Sequence, residues 1–318
     1  MRKRLIIILL IILLGGGLVW YSSSMSTEKI LVDKIYDREI DYLKQELWFE
    51  YALENDEILP ERPQLIGSVN DIPIFNKDDD NPGINNRYGS RTINDFVVGG
   101  ENTFELSVSS MAPDTKVRVR IALHEEGEFP GYFLNNEEPE GVTLAEIVWD
   151  SKTEKTDFPL NLKGKLSIKN APAEWRWENA EVLTLNNKTK QELLSFFDVL
   201  YEKHKNKDID GIFELERIAI EEFAVAFPRY SSLDFEKQKE QFQYSLNNNG
   251  GYTLAPVNKD ELEFSLVAEG RLVQIMDKEG RSPIRYLPNE PDDEGDSWPQ
   301  RIFIGKINGE YKVLRGIF

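Results

Sequence analysis

The strongest constraint on this chain is a change in the period of its hydrophobic pattern near Asn186. From Gln64 to Leu185, short runs alternate or are apolar throughout, and turn residues separate them. Thr103–Ser109 sets Phe104, Leu106 and Val108 against Glu105, Ser107 and Ser109. Lys116–Leu123 sets Val117, Val119, Ile121 and Leu123 against Lys116, Arg118, Arg120 and Ala122. Side chains two apart share one face of a strand, so each run predicts a strand with one dry and one wet side. Ala112-Pro113-Asp114 between them reads as a turn that pairs the two as a hairpin. Leu65–Val69, Thr92–Val98, Ala145–Trp149, Leu160–Ile168 and Glu181–Leu185 complete the set. Together they predict an antiparallel β-sandwich-like domain over residues 61–186. Asp78–Gly83 and Asn135–Gly141 are polar enough for exposed loops.

Beyond Asn186 the pattern becomes helical. Thr189-Lys190-Gln191-Glu192 fits a capping box, and Leu193, Phe196, Phe197, Leu200, Tyr201 and His204 then follow one helix face. A second helix is expected over Ile212–Phe227 before Pro228, and a third over Phe235–Leu246, stopped by Asn247-Asn248-Asn249-Gly250-Gly251. Strands are expected at Glu263–Glu269, Leu272–Asp277, Arg301–Ile307 and Tyr311–Ile317, the last two joined by the hairpin dipeptide Asn308-Gly309. An acidic loop, Pro288–Pro299, lies between the strand pairs. Helices first, then an antiparallel sheet closing on Gly309-Glu310-Tyr311-Lys312-Val313, resembles the nuclear-transport-factor-like, or ketosteroid-isomerase-like, cone fold. The resemblance covers residues 187–318 and implies a cone-shaped α+β domain with a curved antiparallel sheet, whose mouth can hold a ligand. That family includes isomerases, dehydratases and non-catalytic binding domains, so the resemblance does not decide function. Its Tyr-and-two-acids trio has no matching positions here.

At the other end, Arg2, Lys3 and Arg4 precede an uncharged run from Leu5 to Tyr21, close to the ~20 residues that span a hydrocarbon core. Residues 1–24 are therefore expected to be an N-terminal transmembrane anchor, with a cleaved signal peptide as the competitor. The basic flank predicts a cytoplasmic N-terminus, with residues 25–318 extracytoplasmic, or secreted if the segment is cut. Trp20 and Tyr21 suit the membrane interface. Within residues 25–60, Tyr36, Ile40, Leu43, Leu47 and Tyr51 recur at helical spacing and predict an amphipathic helix over residues 28–55, ended by Pro60 and Pro63.

Composition narrows the chemistry. The 318 residues carry a net charge of −18 and no cysteine. The acidity argues against nucleic acid, whose binding needs Lys and Arg to release counterions. Lacking cysteine, the chain has no disulfides, thiolate catalysis or Cys-based metal centres. No cofactor or metal site is expected. Asp78-Asp79-Asp80-Asn81-Pro82-Gly83 departs from the EF-hand pattern, and no Walker or G-x-S-x-G pattern occurs.

Of two histidines, His124 opens His124-Glu125-Glu126-Gly127-Glu128, which is not the zinc pattern H-E-x-x-H, and reads as a surface strand end. His204 lies where a helix C-terminus favours a partly charged imidazole. No catalytic residue is assigned. The candidate binding residues are Arg301 and Arg315, which meet an anion if they face into the cone and are edge charges if they face out. Trp175 and Trp177 flank Arg176 and read as an interface pair or as core. These features predict a membrane-tethered, non-catalytic extracytoplasmic binding protein that recognises a protein partner, an immunity or inhibitor type being one version. The alternatives are a small-molecule enzyme or ligand-binder using the cone pocket, and a structural envelope component.

Overall fold

The computed structural model describes residues 28–54, 64–75, 88–128, 140–155, 157–228, 235–247, 251–289 and 297–317. Among them the chain forms a β-rich α+β fold with four separate sheets. One sheet orders β1 (Glu28–Tyr36), β9 (Leu160–Ile168), β6 (Gly100–Val108), β3 (Leu65–Val69) and β4 (Ile72–Pro73). The second orders β5 (Tyr88–Thr92), β2 (Gln45–Glu54), β7 (Lys116–Glu125) and β8 (Val142–Asp150). All pairs in these two sheets are antiparallel except β1 with β9.

The inward faces of the two sheets meet in one core. Leu47, Phe49, Tyr51 and Leu53 of β2 and Val117, Val119, Ile121 and Leu123 of β7 come from one side. Phe104, Leu106 and Val108 of β6 and Leu160, Leu162, Leu166 and Ile168 of β9 come from the other. Phe104 and Gly164 are cross-strand partners, and a Cβ at Gly164 would fall within the Phe104 ring. Gly164→Ala is therefore expected to lower stability by about 1–3 kcal/mol, the usual cost of overpacking. A chemical denaturation curve checks it, and an unchanged midpoint would show that the ring moves aside freely.

The helical part follows as α1 (Asn187–Lys205), α2 (Ile209–Leu215), α3 (Arg217–Ala226) and α4 (Phe235–Asn247). Next come a small sheet of β10 (Tyr252–Leu254), β13 (Arg285–Pro288) and β14 (Trp298–Pro299), and a larger one of β11 (Glu263–Val267), β12 (Leu272–Met276), β15 (Arg301–Ile307) and β16 (Glu310–Ile317). The larger sheet is buried on both faces. Val273, Ile275, Ile302, Ile304 and Val313 pack on Leu193, Phe197, Leu200 and Tyr201 of α1. Leu272, Phe303 and Leu314 join the core of the first two sheets. The boundary near residue 187 is thus a change of secondary structure, across which the core is continuous.

Several expectations are corrected. The residue 5–21 segment, with Trp20 and Tyr21, lies outside the described residues. Among the described residues no helix is long and apolar enough to cross a membrane, so the single-pass, anchored reading and the localisation drawn from it are not supported. The helix expected over residues 28–55 is replaced by β1 and β2. Leu47, Phe49, Tyr51 and Leu53 alternate as a strand face, and Leu43 of the supposed stripe is 68% exposed.

Thr103–Ser109 and Lys116–Leu123 do not pair as a hairpin. β6 pairs with β3 and β9, and β7 with β2 and β8, so the Ala112-Pro113-Asp114 turn crosses between sheets. Residues 93–98 form a buried turn, and Glu181–Leu185 is extended chain held by Glu181 N–H to Lys306 O and Leu183 N–H to Gly270 O. The residue 212–227 helix is two, broken at Glu216, and α1 is capped by Asn186, whose side chain accepts from the Thr189 N–H. The Asn308-Gly309 hairpin forms as expected, both residues having positive φ. Asp78–Gly83 and the acidic stretch 290–296 lie outside the described residues.

Candidate functional site

Both histidines are interior. On the outer face of the second sheet, Glu50 of β2 lies opposite Arg120 of β7, whose Nε and Nη2 donate to Glu50 Oε2 at 3.0 and 2.8 Å. His124 Nε2 is 2.7 Å from Glu50 Oε1, and His124 is only 2% exposed, not the surface strand end its acidic neighbours imply. Arg120 also donates to Thr143 Oγ1 and Glu140 O. A carboxylate only accepts, so Glu50 places the His124 proton on Nε2.

His204, in the last turn of α1, has Nδ1 2.8 Å from the Tyr286 hydroxyl and Nε2 3.1 Å from Glu216 Oε1. By the same reasoning Nε2–H donates to Glu216, and Nδ1 accepts from the phenol. Burial, with the Glu216 charge beside it, pushes the Tyr286 phenol upward, so it remains a hydrogen-bond donor at neutral pH. The three residues tie the end of α1 to the α2–α3 break and to β13. Tyr286→Phe leaves a buried acceptor unpaired and is expected to lower stability by about 1–3 kcal/mol, read from its urea midpoint.

Arg301 and Arg315 face neither the interior beneath α1 nor solvent. They lie where the C-terminal sheet meets the β core, 3% and 2% exposed. Arg301 Nη1 donates to Ile74 O of the β half at 3.3 Å. Arg315 Nη1 bonds Glu222 of α3, and its guanidinium lies 4.6 Å from the Trp175 ring centroid. Trp175 is fully buried, its Nε1–H donating to Val97 O at 2.6 Å, and Trp177 is 5% exposed. Of the four residues that sequence singled out for binding, Arg301, Arg315 and Trp175 thus join the two halves, Trp177 is buried in the core beside them, and none offers an exposed side chain.

A cleft of about 520 Å³ opens at the same junction. One wall is the β3–β4 turn, where Asn70 and Asp71 both take positive φ. Asn70 is pinned, donating to Phe96 O and Asn102 Oδ1 and accepting from the Thr103 N–H, and Asp71 occupies the turn's second position. The opposite wall is the β11–β12 turn, where Ala268, Glu269 and Gly270 also have positive φ. Glu101, Glu178 and Trp177 contribute to the lining.

The lining carries the acids Asp71, Glu101, Glu178 and Glu269 against the single base Arg271. Glu101 is paired with Lys165 at 2.8 Å, Glu178 accepts from the Trp175 N–H, and Arg271 donates to Ala180 O. Among the described residues, neither Asp71 nor Glu269 makes a hydrogen bond or ion pair. Desolvation in the cleft and the charge of Glu269 raise the Asp71 carboxyl, only partly offset by Lys163. Such an arrangement suits a cationic group. Sequence pattern did not single out Asp71, although Val69-Asn70-Asp71-Ile72 has the form of a two-residue hairpin turn. Among the described residues no group of His, Asp and Glu is arranged to hold a metal ion.

Compared with protein-family models, with curated proteins and with solved structures, the chain matches none.

Proposed function

We propose that this chain is a non-catalytic binding protein that takes a basic segment of a protein partner into the cleft between its two halves. The observation that carries this reading is the pair Asp71 and Glu269, two exposed carboxylates on the turns that line an open cleft, neither of them in a hydrogen bond or ion pair among the described residues. A bound cation relieves the repulsion between them, and the net charge of −18 steers basic partners toward the chain. The finer architecture we infer is an antiparallel sandwich-like β half followed by a cone-like α+β half. The order of helices followed by the β11-β12-β15-β16 sheet, closing on Asn308-Gly309, supports it. The space beneath α1 is filled by Leu193, Phe197, Leu200, Val273, Ile304 and Val313, so a small-molecule enzyme working there would have to displace a packed core.

Titrating the full chain with a short peptide bearing Arg and Lys tests the proposal. Asp71→Asn/Glu269→Gln is expected to weaken binding by about tenfold or more, given the ~1.5–3 kcal/mol of a charge-assisted hydrogen bond. Added salt should weaken the wild type further. Equal affinity in wild type and double variant would rule the cleft out.

A further inference from the structure

We draw no further inference here: the strongest candidate, the groove of about 670 Å³ between the β6–β7 and β8–β9 connections that Met111, Pro113, Trp149 and Phe158 line, carries nothing because the structure does not show what covers it.

Discussion

Replacing Glu222 by Ala is expected to lower the stability of this protein by about 3–5 kcal/mol, the range for removing one partner of a buried ion pair. Glu222 is 7% exposed, and its two oxygens do different work. Oε2 takes Arg315 Nη1, and Oε1 accepts from the Arg176 N–H at 2.9 Å. Without it, Arg315 remains buried with Nε and Nη2 already lacking hydrogen-bond partners and only Leu314 O on Nη1. The stacking on Trp175 persists but cannot replace a carboxylate; a cation–π contact contributes about 2 kcal/mol when desolvated. The loss falls at the seam between the β core and the C-terminal half, which also holds Asn94. That side chain accepts from the Leu47 N–H and donates to Ala226 O. Replacing Glu222 and Arg315 together by Leu should recover much of the deficit, because neither member of the pair is then left buried without the other. Urea curves on the two variants decide it. A single variant within 1 kcal/mol of wild type would mean that water reaches Arg315 readily.

The place of Arg315 shows what the sequence could convey. Strict alternation puts Tyr311, Val313, Arg315 and Ile317 on one face. A bulge between Phe303–Arg315 and Ile304–Val313 inserts Leu314, so Val313 packs under α1 while Arg315 turns to the β core. Local pattern carries no mark of that extra residue. The same limit explains β2. Its inward residues alternate cleanly, but Trp48, Glu50 and Ala52 are also buried, and Tyr36 and Ile40 complete an accidental helical stripe. His124 looks exposed among acids because its partner Glu50 is 74 residues away in sequence. Legible features were those set by neighbouring residues: the runs of β6, β7 and β9, the span of α1, and the Asn308-Gly309 hairpin. The cleft was not legible, since its walls are turns about 200 residues apart that only the shared core brings together.

Asp95→Asn is expected to stabilise the protein near pH 7 by up to about 3 kcal/mol and to remove a distinct pH dependence. Asp95 sits in the buried 93–98 turn at 4% exposure, and desolvation pushes its carboxyl up to about 6, with Arg315 and Arg91 only partly holding it down. The folded value exceeds the unfolded one of about 3.9, so the native state binds more protons between pH 4 and 6. The stabilising neutral form is fully present below that window, and its contribution is lost as pH rises through about 6. About two pKa units correspond to the ~3 kcal/mol quoted. Asparagine copies the neutral form at every pH, so its advantage should be largest above pH 6 and vanish toward pH 4. Using the difference between variant and wild type cancels the exposed carboxylates, such as Asp208 and Glu214, whose lowered pKa values act in the opposite direction. A constant difference from pH 4 to 8 would show that Asp95 is ionised throughout and that Arg315 outweighs its burial. The two substitutions are also coupled. With Glu222 gone, Arg315 has no other hydrogen-bonded carboxylate to offset its charge, so its pull on Asp95 should strengthen and the Asp95 window should move to lower pH in Glu222→Ala.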